Sequence, residues 1–581
     1  MSRAPKASIT WRAHAVVGLL CLMFVALALR ILSLQVLDSG RGAEFLRNQG
    51  DMRMVRTAEL PAYRGLITDR RGEPLAVSTP VVSLWGHPGL LAKSERLDEL
   101  AAALELSPAE LDERVQRYAS RQFMYLRRHM IPEQARDVLS LNISGVRAER
   151  EYRRFYPSGE VAAQLVGMTN VDGKGVAGLE LAYDEWLRGQ PGKKRYIKDL
   201  HGDAVRDIGV VEPVRAGRNL QLSIDLRLQY LLHRELNRAV KITGAEAGVI
   251  LTLDSHTGEL LASASYPDFN PNNRSEVSMS QTRNRALTDV FEPGSTMKPL
   301  TLVAALESGR YATDTLIDTS PGRIRVGRKV LPDPVNYGEI SLSRVVEKSS
   351  QVGITKVSLE IGHKAVWDVF QRFGLGETTA TGFPGESSGL LPQRPKWRPI
   401  EQVTLAFGYG LSATPLQIAR AYAVFANGGM LPQISLLKRE TVEVTPGVRV
   451  IAPETADAVR GVLHAVTSDD GTAGKARIDG YQVGGKTGTV HKVGRGGYID
   501  DQYVALFAGI APIDEPRFVT VVVLDRPKGD AYGGGAAAAP VFARVAGETL
   551  RLLGVTPRIE APSVLDAPSE MVASIGAEAG Q

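Results

Sequence analysis

The amino-acid sequence predicts an α+β protein held by one N-terminal membrane helix, and three observations lead there. Residues 15–29 contain no charged side chain. Residues 38–215 are mixed and rich in charge. Residues 216–555 open and close on strand patterns and carry helical patterns between them, which fits an antiparallel sheet covered by helices.

Residues 1–14 hold Arg3, Lys6 and Arg12 and no acid, Arg30 interrupts the apolar run, and residues 31–37 resume it. About 20 apolar residues cross a bilayer as a helix, and Arg30 near the far end can snorkel to the interface. A transmembrane helix over 15–37 is expected. The flanking positive charges put residues 1–14 in the cytoplasm and the rest outside. Ala26-Leu27-Ala28 resembles a signal-peptide cleavage site, but the apolar pattern runs past it.

A chain of 581 residues exceeds one compact core. Apolar residues at 44% and charged residues at 23% exclude a disordered or polytopic chain. The net charge of +5 is spread thinly, with Lys193-Lys194-Arg195 as the longest basic run, which excludes a nucleic-acid stripe. Cys21 is the single cysteine, so no intrachain disulfide forms. The nine histidines lack ligand spacing, so neither metal nor cofactor is expected.

In chain order, AYRGLITDRRGEPLA (62–76) predicts two short strands around a turn. Residues 96–118 have helical spacing, RFYPSG (154–159) is a loop, and GLELAYDEWL (178–187) predicts one helix with Leu179, Tyr183 and Leu187 on a face. QLSID (221–225) is a strand ending in a helix cap, with a helix following it. AGVILTLDSHTGELLASA (247–264) is strand, turn, strand. Helical patterns lie at 300–308, 341–349, 415–427 and 453–467. ALFAGIAP (505–512) and FVTVVVLD (518–525) are two central strands of a hairpin. The tail 556–581, rich in Ala, Pro and Glu, is expected to be disordered.

The stretch FEPGSTMKPL (291–300) carries the chemistry. Pro299 is tolerated only in a first helical turn, so the helix starts near Ser295, with Lys298 one turn on and on the same face. Serine is a weak nucleophile until a base takes its proton. A lysine can be that base only when neutral, which at pH 7 requires disfavouring its charge by about 4 kcal/mol. Burial and a second cation supply such shifts. The free N–H groups of the helix start suit a developing oxyanion. A second S-x-x-K, Ser435 to Lys438, has no Pro-Gly turn before it. GGKTGTV (484–490) reads as a strand with Thr487 and Thr489 on one side and glycines, Gly488 among them, that admit a ligand near the backbone. Beside the terminal strands it would offer an edge to an extended substrate. EKSSQVG (347–353) reads as a helix end and loop with Ser349 and Gln351.

These clusters in this order resemble the penicillin-recognising serine transferases. RGLITDRRG, RFYPSG and GLELAYDEWL are similar to the pedestal motifs of class B penicillin-binding proteins. FEPGSTMKP, FGYGLSATPLQIARAYAVFANGG and GGKTGT are similar to division-specific, FtsI-type members. The resemblance implies a transpeptidase domain (216–555, with an all-helical subdomain) on an elongated non-catalytic pedestal (38–215). It implies an inner-membrane peptidoglycan D,D-transpeptidase that cross-links stem pentapeptides at the septum and is acylated by β-lactams. Its partners would be a polytopic lipid-II glycosyltransferase of the FtsW type and other divisome proteins. By the resemblance, Ser295 is the nucleophile, Lys298 its base, Ser349 a proton relay and Lys486 a tuning amine. Thr487 and Thr489 hold the substrate carboxylate, and the N–H groups of Ser295 and Thr489 form the oxyanion hole. The family pattern S-x-N is Ser349-Ser350-Gln351 in this chain. Glutamine adds a methylene, so altered substrate or β-lactam preference is expected. Ser140-Leu141-Asn142 lies in the pedestal and cannot substitute. The competing readings are a division-complex scaffold with a degenerate site, and a β-lactam sensor or β-lactamase.

Overall fold

The computed structural model describes residues 10–35, 55–198, 204–440, 447–494, 496–529 and 531–558. Most of the expected tail, 559–581, and most of the 1–14 segment lie outside them. Thr10–Gln35 is one helix. Within it, Trp11–Leu32 is long and apolar enough to cross a membrane and none of it is buried. It begins several residues earlier than the expected 15–37, because His14 and Arg12 do not break a helix.

The chain forms two compact units. The first comprises residues 1–63 and 189–217 and contains a three-stranded antiparallel sheet of Val55–Leu60, Gly192–Lys198 and Ala204–Glu212. The second comprises 64–188 and 218–581. The pedestal motifs of this second unit meet in one buried network. Arg154 Nε lies 2.6 Å from Glu180 Oε1, while Arg64 reaches Glu180 Oε2 at 2.6 Å and Asp184 Oδ1 at 2.7 Å. Glu180 is fully buried. Tyr156 Oη accepts the Thr169 N–H. Asp69 accepts the N–H groups of Arg71 and Glu73, closing the expected turn, and with its other oxygen that of Leu226. GLELAYDEWL is two short helices rather than one, Gly178–Ala182 and Asp184–Arg188. Glu180 and Asp184 both bond Arg64.

The remainder is built in chain order from α1 (Leu226–Thr243), β1 (Ala247–Asp254), β2 (Leu260–Tyr266), α2 (Lys298–Glu307), α3 (Leu342–Glu347) and α4 (Gln351–Ile361). There follow α5 (Pro415–Ala426), α6 (Pro453–Val466), β3 (Gly484–Gly494), β4 (Gly497–Ala511), β5 (Phe518–Asp525) and α7 (Ala539–Leu552). The strands form an antiparallel sheet of order β2-β1-β5-β4-β3. Period-two side-chain alternation splits its apolar residues between two cores. Ile250, Phe507 and Val522 face α1 and α7, whereas Leu251, Leu506 and Val521 face α2, α5 and α6. Asp225 caps α1 through the Arg227 N–H, and Thr414 with Gln417 forms a capping box on α5. Every residue of α5 except Arg420 is buried, as a central helix requires.

The sheet ends on β3, which among the described residues pairs only with β4 and leaves its other edge unpaired. Glu180→Gln should expose the logic of the pedestal network. Losing the carboxylate charge leaves buried Arg154 without its counter-ion and Arg64 with Asp184 alone, a cost of about 3–5 kcal/mol. Thermal unfolding of the detergent-solubilised protein should shift down accordingly. An unchanged midpoint would show the network is dispensable.

Candidate active site

Ser295 sits in a single 3₁₀ turn, Gly294–Met297, which runs directly into α2 at Lys298. The expected helix start is therefore right, with the tighter turn placed before it. Pro299 occupies the first turn of α2. Gly294 adopts φ +56°, and a Cβ there would lie 2.3 Å from Val490 Cγ1 of β3, so only glycine lets the turn approach the strand. The same holds from the other side. A Cβ at Gly488 would meet Leu506 Cδ2 at 2.6 Å and the Pro293 carbonyl at 3.1 Å.

The turn is also held from behind. Gly294 N donates to the Gly408 carbonyl, Phe291 and Ala413 exchange backbone hydrogen bonds, and buried Tyr422 donates its hydroxyl to the Thr296 carbonyl at 2.8 Å. FGYG (407–410) and α5 thus fix the serine's backbone. Ser295 itself is half-buried.

Lys298 is wholly buried, and its ammonium donates to both the carbonyl (2.5 Å) and Oγ (3.0 Å) of Ser349. One residue can offer both oxygens because Ser349 adopts φ +60°, a costly conformation for a non-glycine residue. Ser349 and Ser350 N donate back to Val346 and Val345 at the end of α3. On the far side, Asp333 accepts the Ser350 hydroxyl (2.5 Å) and the Gln351 N–H (2.6 Å). Ser350 Oγ in turn caps α4 through the Gly353 N–H. Gln351 is therefore the first residue of α4 and not part of a loop as expected, because Ser350 and Asp333 nucleate the helix at that point. Asp333 carried no readable sequence signal, since a lone Asp-Pro also marks any turn.

Burial pulls the Lys298 amine down to about 7, against the opposing pull of the Asp333 carboxylate. This disfavours its charged form by about 5 kcal/mol. Lys486 of β3 is also wholly buried and lies well below the usual lysine range, through burial first and the charge of Lys298 second. Its ammonium reaches the Thr487 carbonyl and Oγ1, each at 3.3 Å. Thr487 Oγ1 lies 3.4 Å from Thr472 Oγ1. Thr489 is exposed, and its Oγ1 accepts the Gly534 N–H at 2.9 Å, which leaves the hydroxyl proton to donate outward. The Ser349 and Lys486 segments thus converge on Lys298, and β3 packs against the Ser295 turn through Gly488 and Val490. Ser435 of the second S-x-x-K instead donates to the Leu437 carbonyl in a loop.

Comparison with known proteins agrees with this geometry. Residues 248–547 match the penicillin binding protein transpeptidase domain, and residues 59–222 the penicillin-binding protein dimerisation domain. The chain is 41% identical over 555 residues to the peptidoglycan D,D-transpeptidase FtsI of Escherichia coli K12, covering 94% of this chain and 93% of that one. This chain is a class B penicillin-binding protein. It is 38% identical to the probable peptidoglycan D,D-transpeptidase PbpC of Pseudomonas aeruginosa, over 96% and 98% of the two chains. The crystal structure of penicillin binding protein 3 from Mycobacterium tuberculosis complexed with aztreonam superposes with a TM-score of 0.67 at 29% identity, covering 86% of this chain and 98% of that one.

If Lys298 is the base, its lowered amine would set the pH response of this penicillin-binding protein. Acylation by benzylpenicillin should rise with pH and level off above about 7, falling about tenfold by pH 6. Asp333→Asn removes the charge that favours the ammonium, so the rising limb should move to lower pH. Stopped-flow acylation across pH checks both, and a limb moving to higher pH would contradict the assignment.

Proposed function

We propose that this protein is a serine peptidoglycan D,D-transpeptidase of septal wall synthesis. The observation that carries the proposal is the wholly buried Lys298 amine, hydrogen-bonded to Ser349 in the helix that the Ser295 turn opens. Lys298 takes the proton of Ser295 as its Oγ attacks the penultimate D-alanine carbonyl of a stem pentapeptide. The N–H groups of Ser295 and Thr489 receive the oxyanion. Ser349 passes a proton to the nitrogen of the leaving D-alanine, and Lys486 biases that network. Thr487 and Thr489 hold the substrate carboxylate, or that of a β-lactam, with Gly488 letting it lie close to the strand. The unpaired edge of β3 suits an extended stem peptide. An amine of a second stem then displaces the serine.

Gln351 opens α4 directly after Ser349 and Ser350, and its amide contacts the substrate amide in this reading. The N-terminal helix anchors the chain in the cytoplasmic membrane, with residues 1–14 inside and the catalytic domain in the periplasm, which the positive flank supports. The pedestal is taken as 38–215 and the transpeptidase domain as 216–555. The pedestal and anchor would meet an FtsW-type lipid-II glycosyltransferase and other divisome proteins.

Intact-mass analysis after penicillin exposure tests the reading. One adduct should appear and map to the peptide containing Ser295, and Ser295→Ala should abolish it. A native protein that stays unlabelled would leave a scaffold role instead. Deacylation over hours fits a transpeptidase, whereas milliseconds would mark a hydrolase. Across a β-lactam panel, Gln351→Asn should change relative acylation rates by several-fold, since roughly 0.5 Å of displacement matters in such a site. Superimposable profiles would dismiss that role for Gln351.

A further inference from the structure

A two-stranded hairpin, Arg323–Val326 paired with Lys329–Pro332, carries four cations that the chemistry above does not use. Period-two alternation sorts its side chains. Val326 is buried in the core that holds α2, and Leu331 packs against that core, whereas Arg323 and Arg325 are exposed. Arg328 and Lys329, at the Gly327-Arg328 turn, are exposed as well. Among the described residues none of the four enters an ion pair or a side-chain hydrogen bond. Elsewhere on the surface Arg96, Arg117 and Arg398 each hold a carboxylate. The acids that flank the hairpin in the chain are taken by other groups. Asp318 accepts the Ser320 N–H at 2.8 Å and lies 3.9 Å from Lys356 Nζ, and Asp333 accepts the Ser350 hydroxyl and the Gln351 N–H.

The base of the hairpin is tied to the catalytic loop. Asp333 directly follows Pro332, its N–H donates to the Gly322 carbonyl at 2.9 Å, and its carboxylate holds the Ser350-Gln351 start of α4. Ser349, one residue earlier, holds the Lys298 amine. Four residue pairs of about 3.3 Å each make the hairpin about 13 Å long, so its free cations ride on a short arm rooted at the catalytic loop. We propose that this hairpin docks the anionic wall polymer, gripping carboxylates of stem peptides other than the one at Ser295. Charge complementarity names the occupant, given the transpeptidase reading on which the proposal rests. Each free stem ends in a carboxylate and a polymer strand repeats it, so the wall is a polyanion. Three of the four cations are arginines, whose planar fork suits a carboxylate. One exposed ion pair holds weakly, but several on one polymer combine, because each contact after the first is intramolecular. Binding of this kind is screened by salt.

The test uses full-length protein in neutral detergent, first acylated with benzylpenicillin so that Ser295 cannot hold a stem. Co-sedimentation with purified sacculi then measures affinity. The native protein should lose at least fivefold in affinity between about 50 and about 300 mM salt. Replacing all four cations (Arg323→Gln, Arg325→Gln, Arg328→Gln and Lys329→Gln) should lower affinity at the lower salt at least fivefold and flatten the salt response. Its penicillin acylation rate should stay within twofold of native, which shows an intact fold. Arg328→Gln with Lys329→Gln, confined to the turn, should lose at least twofold. Arg238→Gln with Lys241→Gln, exposed cations of α1, should stay within twofold of native. Sacculi whose carboxylates are converted to amides should bind the native protein no better than untreated sacculi bind the fourfold variant. Equal binding by the native protein and the fourfold variant would overturn the proposal, as would undiminished binding to amidated sacculi. Phosphatidylglycerol added to the micelle should leave sacculus binding within twofold; its loss would assign the hairpin to an anionic membrane and overturn the proposal too. A native protein that takes up no penicillin would instead overturn the transpeptidase reading, while the sacculus ratios still judge the hairpin.

Discussion

The site depends on removing two amines from water. Lys298 and Lys486 are both wholly buried, and the charge of Lys298 adds to the penalty on charging Lys486. A solvated lysine cannot act as a base at neutral pH, whereas a desolvated one can. The cost is carried by the surrounding fold: α2 seats Lys298 in the core with Leu300 and Val303, and the central strands back Lys486. Asp333 sets a limit on the effect, since its carboxylate draws the amine partly back toward its charged form.

Burial depresses the amine, and a separate set of residues aims it. Ser349 offers two oxygens to Lys298 only because its backbone is held left-handed, and that conformation persists because α3 fixes one side and the Asp333-capped start of α4 the other. Two close backbone approaches, at Gly294 and Gly488, then bring the serine turn against β3. A wall of helices and a strand edge therefore meet, bringing the turn that holds Ser295 and leads to Lys298 against the strand that carries Thr487 and Thr489. This arrangement suits a ligand lying extended on β3.

Much of this was legible in the sequence, for physical reasons. Pro299 limits where a helix can begin, so the position of Ser295 followed from one residue's missing N–H. The β-branched runs at 505–512 and 518–525 read as central strands because only strands buried on both faces are so uniformly apolar. GLELAYDEWL misled, because its local spacing fits one unbroken helix and carries no sign of the break at Tyr183. Gln351 was assigned to a loop because its helix is started by Asp333, whose role exists only in three dimensions. Thr472 and Tyr422 went unnoticed for the same reason. Their partners, Thr487 and the Thr296 carbonyl, are contacts of the fold and leave no pattern in the chain.

The state of the Lys298 amine is the centre of this account, and it is open to direct observation. In protein labelled with [ε-¹³C]lysine, the Lys298 resonance can be assigned by its loss in Lys298→Arg and followed against pH by NMR. A midpoint near 7 is predicted. A midpoint near 10.5, that of an ordinary lysine, would mean the amine is charged at neutral pH and cannot be the base that activates Ser295.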